Sequence, residues 1–175
     1  MNGLLGTPIG ADANLRSLVR QYFHAREEQP VGTVPSTPHV ATTWNTRTLN
    51  AVLHDDIGVR LSGNRLIVPA GTYTARFYGP VMNGSANKVR LRDMVRGVTV
   101  AVGGNNYTEP GGDGGYVMTR GIAKGWFTLN SDTALEFQHY VTDAGPSTWT
   151  MGIPIGSLGQ PVEVYGQVQL WRVAA

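Results

Sequence analysis

Alternation of apolar and polar residues is the strongest pattern along the chain, and it is clearest between residues 66 and 79. The apolar run LIV at 66–68 ends at Pro69, which lacks the N–H group that a strand interior uses. From residue 72 every second residue is apolar or small: Tyr73, Ala75, Phe77 and Gly79. This period of two predicts strands with one buried face. We therefore predict two strands joined by a corner at residues 69–71, as in a β-sandwich.

The same alternation recurs through the second half of the chain. Further strands are predicted at residues 98–102, 134–141 and 162–171. Loops are predicted at residues 81–87, 103–115 and 143–160, which are rich in glycine, proline and small polar residues. The pattern predicts an all-β jelly-roll sandwich of about 8–10 antiparallel strands, spanning residues 39–175.

The first 38 residues follow a different pattern. Asp12 can cap a helix whose apolar stripe has helical spacing and consists of Leu15, Leu18, Val19 and Tyr22. Three prolines between residues 29 and 38 predict an extended linker. A short isolated helix is marginal in water, so the stripe packs either on its own domain or on another protein. We predict the second: residues 1–38 form an arm that docks on another protein.

Composition limits the classes of function. Only 15% of the residues are charged, the net charge is +2 and there is no cysteine, which excludes disulfides, thiolate nucleophiles and cysteine-bound zinc. The cations are scattered along the sequence, so we predict no nucleic-acid partner. No stretch approaches the roughly 18 apolar residues of a membrane-spanning helix, and we expect neither membrane insertion nor a secretory signal.

Candidate metal and catalytic residues are few. The four histidines have no metal-binding spacing, and we expect His139, which alternates with Phe137, to lie in a core or an interface. Oxygen ligands for calcium could come from residues 54–56 or from Asp113, but calcium needs six or more. Glu136 and Glu163 both lie on predicted strands, and two carboxylates could in principle serve a glycosidase. We predict no metal, no cofactor and no catalytic residue.

Short motifs spread over residues 40–173 resemble a known family. They are WNTRTLN at 44–50, PAGTY at 69–73, VRL at 89–91, GWFTL at 125–129, LEFQHY at 135–140 and EVY at 163–165. In this order they resemble the C1q/TNF-like jelly-roll domains of bacteriophage virion structural proteins. The resemblance implies a compact homotrimer on a phage tail, fibre or head decoration, made in the host cytoplasm and located in the virion. The partner of the arm at residues 1–38 would then be another virion protein, whether capsid, portal or tail.

Two functions remain open from these patterns. The first is a non-enzymatic virion structural protein, either a capsid decoration or head-fibre protein or a tail adaptor. Its predicted subunit interface consists of Tyr140, Glu163, Tyr165 and Trp171, which lie on strand faces opposite the apolar ones. The second is a receptor-binding tip for host attachment, in which loop residues contact a host glycan or protein: Tyr107, Asp113 and Trp149. A carbohydrate-active enzyme is the third and weakest alternative.

Overall fold

A computed structural model describes residues 21–37, 39–108, 117–143, 149–156, 159 and 161–174. These residues form β-strands and connecting segments, with no helix among them. The strands are β1 (Gln21–Pro30), β2 (Thr43–Thr46), β3 (Ala51–Asp55), β4 (Arg60–Ser62), β5 (Arg65–Val68), β6 (Gly71–Met82), β7 (Ser85–Asp93), β8 (Val98–Val102), β9 (Asn106–Thr108), β10 (Met118–Leu129), β11 (Thr133–Val141) and β12 (Val162–Ala174).

The strands form two antiparallel sheets that pack face to face. The five-stranded sheet has the order β10-β6-β12-β1-β3; the seven-stranded sheet has the order β4-β5-β11-β7-β8, with β2 beside β11 and β9 beside β7. Apolar residues from both inner faces form one main core, in which the rings of Phe77 and Phe137 meet edge to face at 5.4 Å. The predicted all-β jelly-roll sandwich is confirmed.

The corner at Pro69 carries the chain from one sheet to the other. The strand before it, β5, lies in the seven-stranded sheet, whereas β6 lies in the five-stranded sheet. The hydroxyl of Tyr73 donates to the carbonyl of Pro69 at 2.9 Å and ties the corner to the start of β6. Tyr73, Ala75 and Phe77 all face the core, as their alternation predicts.

An extra residue in β12 reverses the predicted orientation of its first half. Arg26 and Glu28 of β1 lie opposite Gln167 and Val164, so three steps along β12 match two along β1. Such a bulge shifts the alternation by one residue. Glu163 and Tyr165 therefore point inward with Val168 and Leu170, although their sequence pattern placed them on the opposite face.

Residues 21–30 are a strand and not the end of the predicted helix. Tyr22 lies opposite Trp171 of β12, and His24 lies opposite His54 of β3. A strand with a partner on each side gains two ladders of backbone hydrogen bonds, and this gain outweighs a local helical pattern. The other three residues of the predicted stripe, Leu15, Leu18 and Val19, lie outside the described residues.

The proline-rich stretch predicted as a linker is bound to the sandwich over residues 31–37. The buried carboxylate of Glu27 accepts hydrogen bonds from the N–H of Ser36 at 2.6 Å and from the hydroxyl of Thr37 at 3.0 Å. The hydroxyl of Tyr165 donates to the carbonyl of Thr33 at 2.7 Å. The predicted arm therefore contributes residues 21–37 to the jelly roll, and the boundary at residue 38 is wrong for this part of the chain.

This arrangement predicts that two N-terminal deletions differ sharply. Deletion of residues 1–38 removes β1 and its ladders to β12 and β3, so we expect loss of the cooperative thermal unfolding transition. Deletion of residues 1–20 removes none of the described contacts, and we expect a melting temperature close to that of the full chain. Circular dichroism melting curves of the two truncated proteins test this, and a folded 39–175 fragment would contradict it.

Candidate interaction surfaces

A group of charged and polar side chains lies sealed inside the sandwich. Arg47 has no exposed surface, and its Nη1 donates to the carbonyl of Met151 at 3.1 Å. Burial lowers the pKa of this guanidinium to about 10. The guanidinium packs against Gly79, where a Cβ atom would come within 3.2 Å of it, so a larger residue at this position would crowd the guanidinium.

His139 lies near Arg47 and is also fully buried. Its Nε2 is 3.4 Å from Oδ1 of Asn87, and among the described residues its Nδ1 has no hydrogen-bond partner. Burial, and then the charge of Arg47, hold its pKa well below the usual value of 6.5. The expectation of a core histidine is confirmed. These interior groups are closed to any substrate, so they act in the fold.

The two carboxylates that would suit a glycosidase do not face each other. Glu136 lies on β11 of the seven-stranded sheet and accepts hydrogen bonds from Arg65 at 2.9 Å, Gln138 at 2.8 Å and Thr46 at 2.9 Å. Glu163 lies on β12 of the other sheet and binds backbone N–H groups of two loops. Both carboxylates therefore stabilise local structure and have few lone pairs left for chemistry.

The candidate calcium ligands are likewise engaged locally. One carboxylate oxygen of Asp55 accepts the N–H groups of residues 57–59, and Asp56 lies 2.7 Å from Nε2 of His54. Asp113 lies outside the described residues. Within the described part of the chain, no three residues of ligating type lie close enough together to hold a metal ion.

The four residues predicted for a subunit interface do not lie on one surface. Glu163 and Tyr165 are 7% and 3% exposed and point into their own subunit. Tyr140 lies on the outer face of the seven-stranded sheet, where its ring packs against Trp44. Trp171 lies on the outer face of the five-stranded sheet, where it packs against Tyr22 at 5.2 Å. Only Tyr140 and Trp171 are placed to contact another molecule, and they lie on opposite outer faces of the sandwich.

The outer face of the five-stranded sheet carries exposed apolar side chains that the sequence analysis did not single out. Along β10 these are Met118, Ile122 and Trp126, which are 44%, 45% and 65% exposed. A groove of about 300 Å³ runs from Met118 past Tyr78 to Ile155. We call this surface the apolar face; it comprises Tyr22, Tyr78, Met118, Ile122, Trp126, Ile155 and Trp171. Arg120 and Lys124 lie between these residues on the same side of β10, and the guanidinium of Arg120 lies 5.8 Å from the ring centre of Tyr78.

Three loops meet at one end of the sandwich, opposite the point where the chain enters β1. The N–H of Met82 donates to Thr150 at 2.9 Å, and the N–H of Asn83 donates to Val117 at 3.0 Å. Tyr107, which is 65% exposed, and the half-buried Trp149 belong to this end. The predicted loop at 81–87 is shorter than expected, because β6 extends to Met82 and β7 begins at Ser85.

Comparisons with known proteins support the fold. No protein-family profile and no curated protein sequence matches the chain. Among solved structures, the globular domain of zebrafish complement 1qA protein is similar at 12% identity, with a TM-score of 0.52, covering 88% of this chain and 97% of that one. Murine APRIL at pH 5.0 is 10% identical, with a TM-score of 0.49, covering 87% and 98%. The fold is a C1q/TNF-like jelly roll.

Within the described residues, no helix has the length and hydropathy needed to cross a bilayer.

The buried histidine predicts that the C1q/TNF-like domain loses stability in mild acid. Below pH 6.5 the unfolded chain protonates His139 whereas the folded chain does not, so the free energy of unfolding falls as pH decreases. The slope for one proton is about 1.4 kcal/mol per pH unit. Carboxylates with lowered pKa, such as Glu136, add to this only below about pH 4.5.

Urea unfolding at pH 7 and pH 5 measures this effect. We expect His139→Gln to reduce the loss of stability between these two pH values, because glutamine keeps a donor for Asn87 but binds no proton. His39→Gln, which removes a histidine outside the core, is the matched control. An unchanged pH dependence in the His139 variant would contradict the assignment.

Proposed function

We propose that this chain is a non-enzymatic structural module of a bacteriophage virion that assembles as a homotrimer. The phage origin is supported by the resemblance of the motifs between residues 40 and 173 to jelly-roll domains of virion proteins. The C1q/TNF-like fold supports a non-enzymatic role and self-association. The proposal fits a capsid decoration, head-fibre or tail-adaptor protein.

The observation that carries the self-association is the apolar face. Strand β10 is an edge strand of twelve residues, and its outer side presents Met118, Ile122 and Trp126 to solvent, with Arg120 and Lys124 between them. A long edge strand with exposed apolar side chains is a liability in a monomer and is normally covered. A second copy of the chain is the occupant we propose, because three copies arranged head to tail in a closed ring would cover all three edges.

Trp126→Asp tests this assembly. The substitution changes a side chain that is 65% exposed within the subunit, so we expect little change in the melting temperature of the monomer. Arg76 and Lys124 line the same surface as Trp126. Because the substitution removes the indole ring from the interface and adds a carboxylate that must lose its water on association, we expect association to weaken by about 100-fold or more. Light scattering at micromolar concentration should report a trimer for the wild type and a monomer for the variant.

Val102→Asp is the matched control for Trp126→Asp. Val102 is 50% exposed and lies opposite Arg90 on the outer side of the other sheet, so it introduces the same charge away from the apolar face. We expect this variant to remain trimeric. A monomeric wild type, or equal dissociation of both variants, would refute the proposed interface.

Docking on the particle is assigned to residues 1–20. The first residue of β1, Gln21, lies opposite Arg172 near the end of β12, at the end of the domain opposite the three loops. Leu15, Leu18 and Val19 then form the docking stripe; Tyr22 is excluded because it packs on Trp171. Three such segments on one trimer would strengthen a modest single contact through multivalency.

Incorporation into particles tests this assignment. We expect Leu15→Asp combined with Leu18→Asp to abolish incorporation while the melting temperature and oligomeric state stay unchanged. Asn14→Asp combined with Ser17→Asp adds the same charge at polar positions of the segment and should incorporate normally. Normal loading of the leucine variant, measured by quantitative blotting of purified particles, would show that these residues are not the anchor.

A receptor-binding tip is the second candidate function, and the position of the loops favours it. The three connected loops lie at the end away from residue 21, where a docked module would present them outward. The exposed ring of Tyr107 at this end is suited to contact a sugar or a protein surface. Adsorption of the purified domain to host cells, abolished by Tyr107→Ala, would favour this function over a purely structural one.

A further inference from the structure

The outer face of the seven-stranded sheet concentrates positive charge that is scattered along the sequence. Lys88, Arg90 and Arg92 alternate along β7 with Val89 and Leu91, whose side chains are fully buried. Three side chains at every second position of a strand span about 14 Å on one face. Strands β5 and β4, on the far side of β11, add two more cations to this face. The resulting surface, which we call the basic face, comprises Arg60, Arg65, Lys88, Arg90 and Arg92.

Most of this charge is not neutralised within the chain. Glu136 is the only described carboxylate between these strands on the outer side, and it forms a salt bridge with Arg65 at 2.9 Å. Within the described residues, Arg60, Lys88 and Arg92 have no salt bridge. Burial, and then the like charge of Arg92, lower the pKa of Arg90. Mutual repulsion of this kind is relieved when an anion binds.

We propose that the basic face binds an anionic polysaccharide, a polymer whose sugars carry sulfate, phosphate or carboxylate groups. Arginine side chains bind such groups through paired N–H donors, and hydroxyl groups at Ser62 and Thr99 are exposed among them for the sugars. The face belongs to the side of the sandwich opposite the apolar face, so it stays accessible whether or not the chain self-associates.

The aromatic residues of the basic face favour a polysaccharide over a nucleic acid. Single-stranded nucleic acids stack their bases on open aromatic rings. Here the guanidinium of Arg90 covers the ring of Trp44 at 3.9 Å, and Tyr140 packs against the same ring at 5.5 Å. Duplex DNA is read by an element that enters a groove, whereas this surface is the flat side of a sheet. The surface therefore offers charge and hydroxyl groups more than stacking platforms.

Binding of fluorescent dextran sulfate to the full chain, followed by anisotropy, tests the proposal. We expect binding that weakens as salt rises from about 50 to about 200 mM, and no binding of uncharged dextran. Lys88→Gln combined with Arg92→Gln should weaken the affinity about tenfold or more and reduce the salt dependence. Melting curves check that the variant is folded, and Arg60→Gln combined with Lys88→Gln replaces it if it is not.

The control changes the net charge by the same two units elsewhere. Asn130→Asp combined with Ser131→Asp alters an exposed turn outside the basic face and should leave the affinity within about twofold. Equal weakening by both pairs, or no binding of dextran sulfate by the wild type, would overturn the proposal. Tighter binding of single-stranded DNA than of dextran sulfate at matched charge would also overturn it in favour of a nucleic-acid surface. The monomeric Trp126 variant should still bind, so failure of the self-association proposal is distinguishable.

Discussion

The pairing of β12 with β1 is the interaction on which the five-stranded sheet depends. β12 has β6 on its other side and β1 has β3, so these two strands join both halves of the sheet. The bulge between them turns Glu163 and Tyr165 inward, where their side chains bind the backbone of residues 32 and 33. One extra residue in β12 thus sets the register of its first half against β1. It also orients the two side chains that hold the segment following β1.

The interior of the sandwich contains a buried cation that lowers the stability of the fold. Arg47 is fully buried, and among the described residues its Nε and Nη2 have no hydrogen-bond partner. A buried cation without full compensation disfavours folding by several kcal/mol in general. The negative charge of Glu27 offsets part of this cost, since it opposes the pKa shift of Arg47. The well-packed apolar core, with residues such as Phe77 and Leu135 fully buried, supplies the remaining stability.

The two outer faces of the sandwich differ in the physical chemistry that they present. The apolar face exposes aromatic and aliphatic side chains along an edge strand, which suits contact with a protein surface. Its cations, Arg76, Arg120 and Lys124, lie among these apolar side chains. The basic face presents cations held by buried valine and leucine neighbours on β7. Hydrophobic association and attraction of anions are therefore assigned to opposite sides of one domain, while the loops occupy one end.

The sequence by itself determined most of the strands from residue 65 onward, because period-two alternation follows directly from the geometry of a strand with one buried face. The short strand β9 is an exception, since it lies within a predicted loop. The sequence also placed His139 in a core or an interface, and the structure shows that the residue lies in the core. Tertiary structure decided the rest. Whether residues 21–30 form a helix or a strand depended on partners about 140 residues away, at Arg172 and its neighbours in β12. The orientation of Tyr165 depended on a bulge, and the clustering of Arg60 with Lys88 depended on strand order. Local spacing contains no information on pairing between distant segments, and this pairing creates both outer faces.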